Sequence, residues 1–193
     1  MEQLRNRNYQ RVDKLIIDGF CELLKNGSEK AVTITALCEK AGVNRTTFYK
    51  HYRGTWEIVE KLEEELIQGI NGDKPNLIEF LKNPYPRFQE LNKILEHNIV
   101  FYKRLFTSQH IESLSSKINS MIVKNNQKDP AVMKAFNNDI NRLKIAIDIN
   151  IGVIIHLYLS WFKNEYSEAS LDDVAQSVSH AIQRMADYTN IKE

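Results

Sequence analysis

Apolar residues recur every three or four positions along nearly the whole chain, and no strand-like alternation persists. Helices with that period carry an apolar stripe that other helices must cover, so the expected fold is all-α. The first helix is expected near 8–26, striped by Val12, Leu15, Ile16, Gly19, Phe20, Leu23 and Leu24, with Gly27 as its left-handed end. Two short helices follow. Thr33 opens one over Ile34, Leu37 and Cys38, which Gly42 closes, and Asn44 opens the next at about 45–52. Thr55 is expected to cap a helix over about 55–70, striped by Ile58, Val59, Leu62, Leu66 and Ile70.

The stretch "NGDKPN" at 71–76 is the clearest breaker cluster, dividing an N-terminal domain at 1–72 from a larger one at 73–193. Beyond it the period predicts a short helix near 76–82 and longer ones near 85–107, 108–125, 130–139, 140–164 and 170–190. Asp129-Pro130 opens the fourth of these six, and Ser170 caps the last. About nine helices are expected in total.

With 193 residues, 42% hydrophobic, and only 7 Gly and 4 Pro, the chain can build a sizeable core and has no room for long low-complexity tracts. Its net charge is +1, but residues 1–53 hold ten Lys/Arg against six Asp/Glu. That basic first quarter suggests an anionic partner at the N-terminal end. Cys21 and Cys38 lie in amphipathic helical patterns, as reduced thiols of a cytoplasmic protein would. The opening "MEQLRNRNYQ" lacks the apolar core of a signal peptide, and "IAIDINIGVIIHLYLSWF" is interrupted by Asp148, Asn150 and His156. The latter fits a buried helix better than a membrane span, and no membrane partner is expected.

Residues 42–54, "GVNRTTFYKHYRG", mix rings, hydroxyls and cations too densely for an ordinary core segment. Val43, Phe48 and Tyr52 can pack inward, leaving Arg45, Thr46, Thr47, Tyr49, Lys50 and His51 on or near an open face. Such groups bond base edges and phosphates, and threonine methyls suit thymine, so the surface reads as one that meets double-stranded DNA. A solvated helical face carries Lys, Arg and Thr too, and composition alone leaves the two readings about equal.

The pattern Ala41-Gly42-Val43, Phe48-Tyr49, His51-Tyr52 after Thr33 and Thr35 is more specific. Over about residues 8–66 it resembles the N-terminal domain of TetR/AcrR-family transcriptional regulators. The resemblance implies a three-helix helix-turn-helix domain with its motif at about 33–53, followed by a larger regulatory and dimerisation bundle. It makes 45–51 the recognition helix, with Asn44 at its start and Arg45, Thr46 and Thr47 nearest the bases. Tyr49, Lys50 and His51 would touch phosphates or groove edges, and Thr33 and Thr35 backbone phosphates. Members often have a Lys opening the fourth helix, where this chain has Thr55. Thr55 still offers a hydroxyl and a helix N-terminus, and the salt dependence should be shallower by about one phosphate equivalent.

For the second domain the resemblance implies a homodimer through the last two helices, a small-molecule effector pocket, and release of a repressor from a palindromic operator. Gly152, Ile155, Leu159, Trp161, Val174, Val178, Ile182 and Met185 are the expected dimer contacts. Phe101, Tyr102, Phe106, Met121, His156 and Tyr158 are the expected pocket lining. The residues themselves leave a monomeric core, an activator, or an architectural factor governed by a protein partner open. Asp148 and His156 bring no nucleophile motif or phosphate loop with them, so no enzyme is expected. His97, His110, His156 and His180 lack metal-ligand spacing, and no metal or cofactor is expected.

Overall fold

The structure, a computed structural model, describes residues 2–25, 32–72, 77–108 and 110–187, without the side chains of 2–5, 110, 185 and 187. The described residues form eleven helices and no strand: α1 (Glu2–Leu24), α2 (Ile34–Ala41), α3 (Arg45–His51), α4 (Thr55–Asn71), α5 (Leu77–Lys82), α6 (Tyr85–His97), α7 (Ile99–Thr107), α8 (His110–Asn126), α9 (Pro130–Ala135), α10 (Ile140–Phe162) and α11 (Leu171–Asp187). The all-helical expectation holds. The expected end of the first helix at Gly27 lies outside the described residues.

The helix expected over 85–107 is two helices, broken at Asn98. Asn98 is buried, accepts from the Cys21 thiol at 3.5 Å, and opens α7 by accepting from the Tyr102 amide. The helix expected to reach 139 stops at Ala135, because Asn137 and Asn138 both take φ 57°. Asn tolerates that left-handed conformation, and the chain then turns into α10 under the Asp139 cap.

Two compact units emerge, Met1–Glu64 with Asn98–Tyr102, and Glu65–His97 with Lys103–Glu193. The first is built on fully buried Ile16, Phe20, Leu24, Leu37, Phe48, Ile58 and Leu62, joined by Phe101 and Tyr102. Each such side chain contributes roughly 1.5–3 kcal/mol on leaving water. Gly19 lets α1 run close to α2: a Cβ there would stand 3.3 Å from the Ala41 Cβ and amide nitrogen.

In the second unit α11 packs on α5, α6 and α10, and α10 also packs on α8. Tyr158, Phe162, Val178 and Ile182 are buried there. Ser170 caps α11 as expected. Its hydroxyl accepts from the Asp173 amide at 3.1 Å while its own amide donates to the Asp173 carboxylate at 2.7 Å. That carboxylate is held below the usual range, first by the Ser170 hydroxyl and then by the Ser170 amide.

Helix α10 is covered on one side and open on the other. Leu143, Ile147 and Ile151 are covered, but Ile145 and Ile149 stand 58% and 50% exposed, with Gly152 and His156 continuing the open side. By length and composition it could cross a membrane, and 28% of its most apolar window is buried.

Candidate nucleic-acid interface

The geometry of 33–53 follows from its caps. Thr33 accepts from the Ala36 amide at 3.2 Å and starts α2. Gly42, at φ 66°, ends it; the Gly42 and Val43 amides donate back to Glu39 and Cys38 carbonyls. A residue with a Cβ is strained at that φ, so a glycine belongs there. Two residues on, Asn44 accepts from the Thr47 amide at 2.7 Å and starts α3. Tyr52 ends α3 in extended conformation. Two short helices are thus fixed on either side of a tight turn by three local signals.

The inner side of α3 is held down by Phe48, fully buried, and Tyr52, nearly so. The Tyr52 hydroxyl donates to Asp13 of α1 at 2.6 Å, and Lys61 of α4 donates to the other oxygen of the same carboxylate. Asp13 thereby ties three helices to one point.

His51 joins that inner cluster, contrary to its expected place on the open face. Its side chain is 5% exposed, its ring stacks on Tyr9 at 4.0 Å, and its Nδ1 lies 3.7 Å from Asp13. His51 follows Phe48 by three positions, which on a helix puts both on the same side. It is therefore a packing residue.

The outer side carries Asn44, Arg45, Thr46, Tyr49 and Lys50, all exposed, with Thr47 half-buried. Thr33 and Thr35, at the start of α2, are exposed as well. Tyr49 is 49% exposed. Thr55 is the first helical residue of α4 rather than its cap. Glu57 takes the capping role, accepting from the Arg53 amide and side chain at 2.5 Å each, and these contacts hold its carboxyl below the usual range. Two residues absent from the expected set stand beside this face. Arg53 is 82% exposed at its side chain and lies over the ring of Trp56, 5.5 Å from its centre; Trp56 is itself half exposed. An arginine and a tryptophan flanking a helix start were the legible signal.

The expected pocket residues mostly lie elsewhere. Phe101 and Tyr102 belong to the first unit, where Tyr102 donates to the Leu62 carbonyl at 3.0 Å. Tyr158 is fully buried and donates to Asn92 at 2.7 Å; burial pushes its phenol pKa up. Met121 is half-buried and His156 exposed, and neither lines the cavity described next. A cavity of about 910 Å³ does open within the second unit. Phe106 lines it, with Leu66, Ile70, Phe80, Leu91, Ile118, Ile151 and Asn150.

The expected dimer contacts divide. Val174, Val178 and Ile182 are consumed by their own chain's core, because α11 already rests on α5, α6 and α10. Trp161 is half-buried and donates to the Ala169 carbonyl at 2.7 Å. Ile155 and Leu159 are half-buried, and Gly152 has open space where a side chain would be. The Met185 side chain lies outside the described residues. No protein-family model matches this chain, and no curated protein matches it either.

Proposed function

We propose that the chain is a sequence-specific DNA-binding transcriptional regulator, acting as a homodimeric repressor that a small molecule releases from its operator. The observation that carries this reading is the asymmetry of α3. Its inner side is fastened by Phe48, Tyr52 and Asp13, while Arg45, Thr46, Tyr49 and Lys50 stand exposed on the other, the Arg45 and Tyr49 side chains bonded to each other. A short helix held so, with two cations and several hydrogen-bonding groups outward, suits insertion into a major groove. Arg45 and Thr46 would meet base edges, and Lys50, Tyr49, Thr33 and Thr35 the phosphates. Arg53 supplies a cation near the start of α4, where Thr55 has none.

Reading a palindrome requires two copies. The open stripe of Ile145, Ile149 and Gly152 on α10 is apolar surface that a second copy would cover. The cavity of the second unit is of the size that small-molecule sites have. Helix α4 lends Leu66 and Ile70 to the cavity wall.

The test is selection from a randomised duplex library by the purified full chain at low salt. Enrichment of a two-fold symmetric site with half-sites about one helical turn apart is the expected result. Failure to enrich any duplex above the starting pool contradicts the proposal.

A further inference from the structure

Arg53 and Trp56 form one built feature of the surface. The Trp56 indole lies back against Gly54: a Cβ at Gly54 would stand 2.7 Å from the ring atoms Cδ1 and Nε1, so a glycine is what leaves the seat open. The Arg53 guanidinium lies over the same ring, 5.5 Å from its centre. Arginine is held on an aromatic face by both its charge and its flat shape. Glu57 completes the support. One of its carboxylate oxygens accepts from Arg53 Nε and the other from the Arg53 amide, at 2.5 Å each.

That arrangement leaves the far end of the guanidinium. Nε is taken, whereas Nη1 and Nη2 have no hydrogen-bond partner among the described residues, and the side chain is 82% exposed. Two N–H groups side by side in a plane match two oxygens of a phosphate. A long side chain normally loses rotamer freedom on binding, and here the ring and the carboxylate have already removed much of it. Glu57 offsets part of the charge of Arg53, so geometry rather than net charge sets this arginine apart. Arg53 stands two residues past His51, the last of α3, at most about 7 Å of chain away. It therefore borders the exposed face of α3, where a duplex seated against that helix presents its backbone.

We infer that Arg53, set in place by Gly54, Trp56 and Glu57, is a fork that grips one phosphate of the duplex backbone through both terminal nitrogens and so fixes the register of α3 in the groove. The inference rests on the DNA-binding reading above and adds to it a sequence-independent contact whose strength lies in its shape.

Arg53→Lys keeps the charge and loses the fork. By fluorescence anisotropy it should bind the selected duplex and a scrambled one about tenfold more weakly each, the scale of one charge-assisted hydrogen bond, with the salt slope of the parent. Arg53→Gln should weaken both and flatten the slope. Gly54→Ala keeps all three side chains but displaces the ring, and should weaken both duplexes at an unchanged slope. Parent affinity in Arg53→Lys, a loss confined to the selected duplex, an unchanged slope in Arg53→Gln or full affinity in Gly54→Ala overturns the inference and leaves the regulator standing. The two Arg53 variants decide the matter even if Gly54→Ala fails to fold. A parent that binds no duplex removes the regulator, and the fork with it.

Discussion

Asp13 on α1 accepts a 2.6 Å hydrogen bond from the Tyr52 hydroxyl at the end of α3, and Lys61 of α4 shares the same carboxylate. A phenol bonded to a carboxylate is a charge-assisted contact, stronger than a neutral one. Tyr52→Phe keeps the ring in the core and deletes that bond, along with the 3.5 Å one that Lys61 donates to the same hydroxyl. The expected loss is about 1.5 kcal/mol in denaturant unfolding, with weaker DNA binding because α3 is less firmly held. An unchanged midpoint and unchanged binding would show that the contact positions nothing.

At Gly19 α1 lies close against α2. Any larger side chain at that point meets Ala41 backbone and Leu37 at van der Waals contact or less. Gly19→Val is expected to destabilise the first unit by about 1–3 kcal/mol, the usual result of overpacking. Thermal unfolding measures it, and a variant as stable as the parent contradicts the packing described.

The Ser170–Asp173 capping pair has a pH signature. The Asp173 carboxylate is held below its ordinary value by the Ser170 hydroxyl and amide. A depressed carboxyl contributes stability above its unfolded pKa and loses it as pH falls through the folded one. Asp173→Asn is therefore expected to lower the melting temperature at neutral pH, with the gap closing as the solution is acidified below the ordinary carboxylate range. A gap of constant size across that range would contradict the linkage.

The open stripe of α10 should matter to assembly and little to folding. Ile149→Asp places a charge where the side chain is half exposed in the single chain. Sedimentation velocity is expected to show a dimer for the parent and a monomer for the variant, with unchanged helical content. Two species of equal mass would remove α10 from the interface.

Much of this was legible in the residue order wherever the signal is local. Thr33, Asn44 and Ser170 begin helices because their side chains reach an amide three residues on, a reach that sequence spacing reports directly. Phe48 and Tyr52 face inward at a separation of four, as helical period demands. What escaped was non-local. His51 looked like a surface histidine by polarity, yet Tyr9, more than forty positions away, supplies the ring it stacks on. Phe101 and Tyr102 continued the apolar period of 85–107, and nothing in that period reveals a break at Asn98 or their membership of the first unit. The stripe of Val174, Val178 and Ile182 is one face wide, and a stripe cannot say whether its own chain or a second copy covers it. Arg53 and Trp56 lay just past the expected helix, where a cation beside a ring was visible but unassigned.

The central claim is that the outward side of α3 meets DNA, and salt-dependent binding tests it most directly. On one selected duplex, the affinity of the parent and of Lys50→Ala is followed by fluorescence anisotropy across a range of salt concentrations. The account predicts that Lys50→Ala weakens binding and flattens the logarithmic salt slope by roughly 0.9 for each copy bound. Arg45→Ala, on the same plot, should lose discrimination between the selected duplex and a scrambled one. Identical slopes for parent and Lys50→Ala, with discrimination intact in Arg45→Ala, would contradict it.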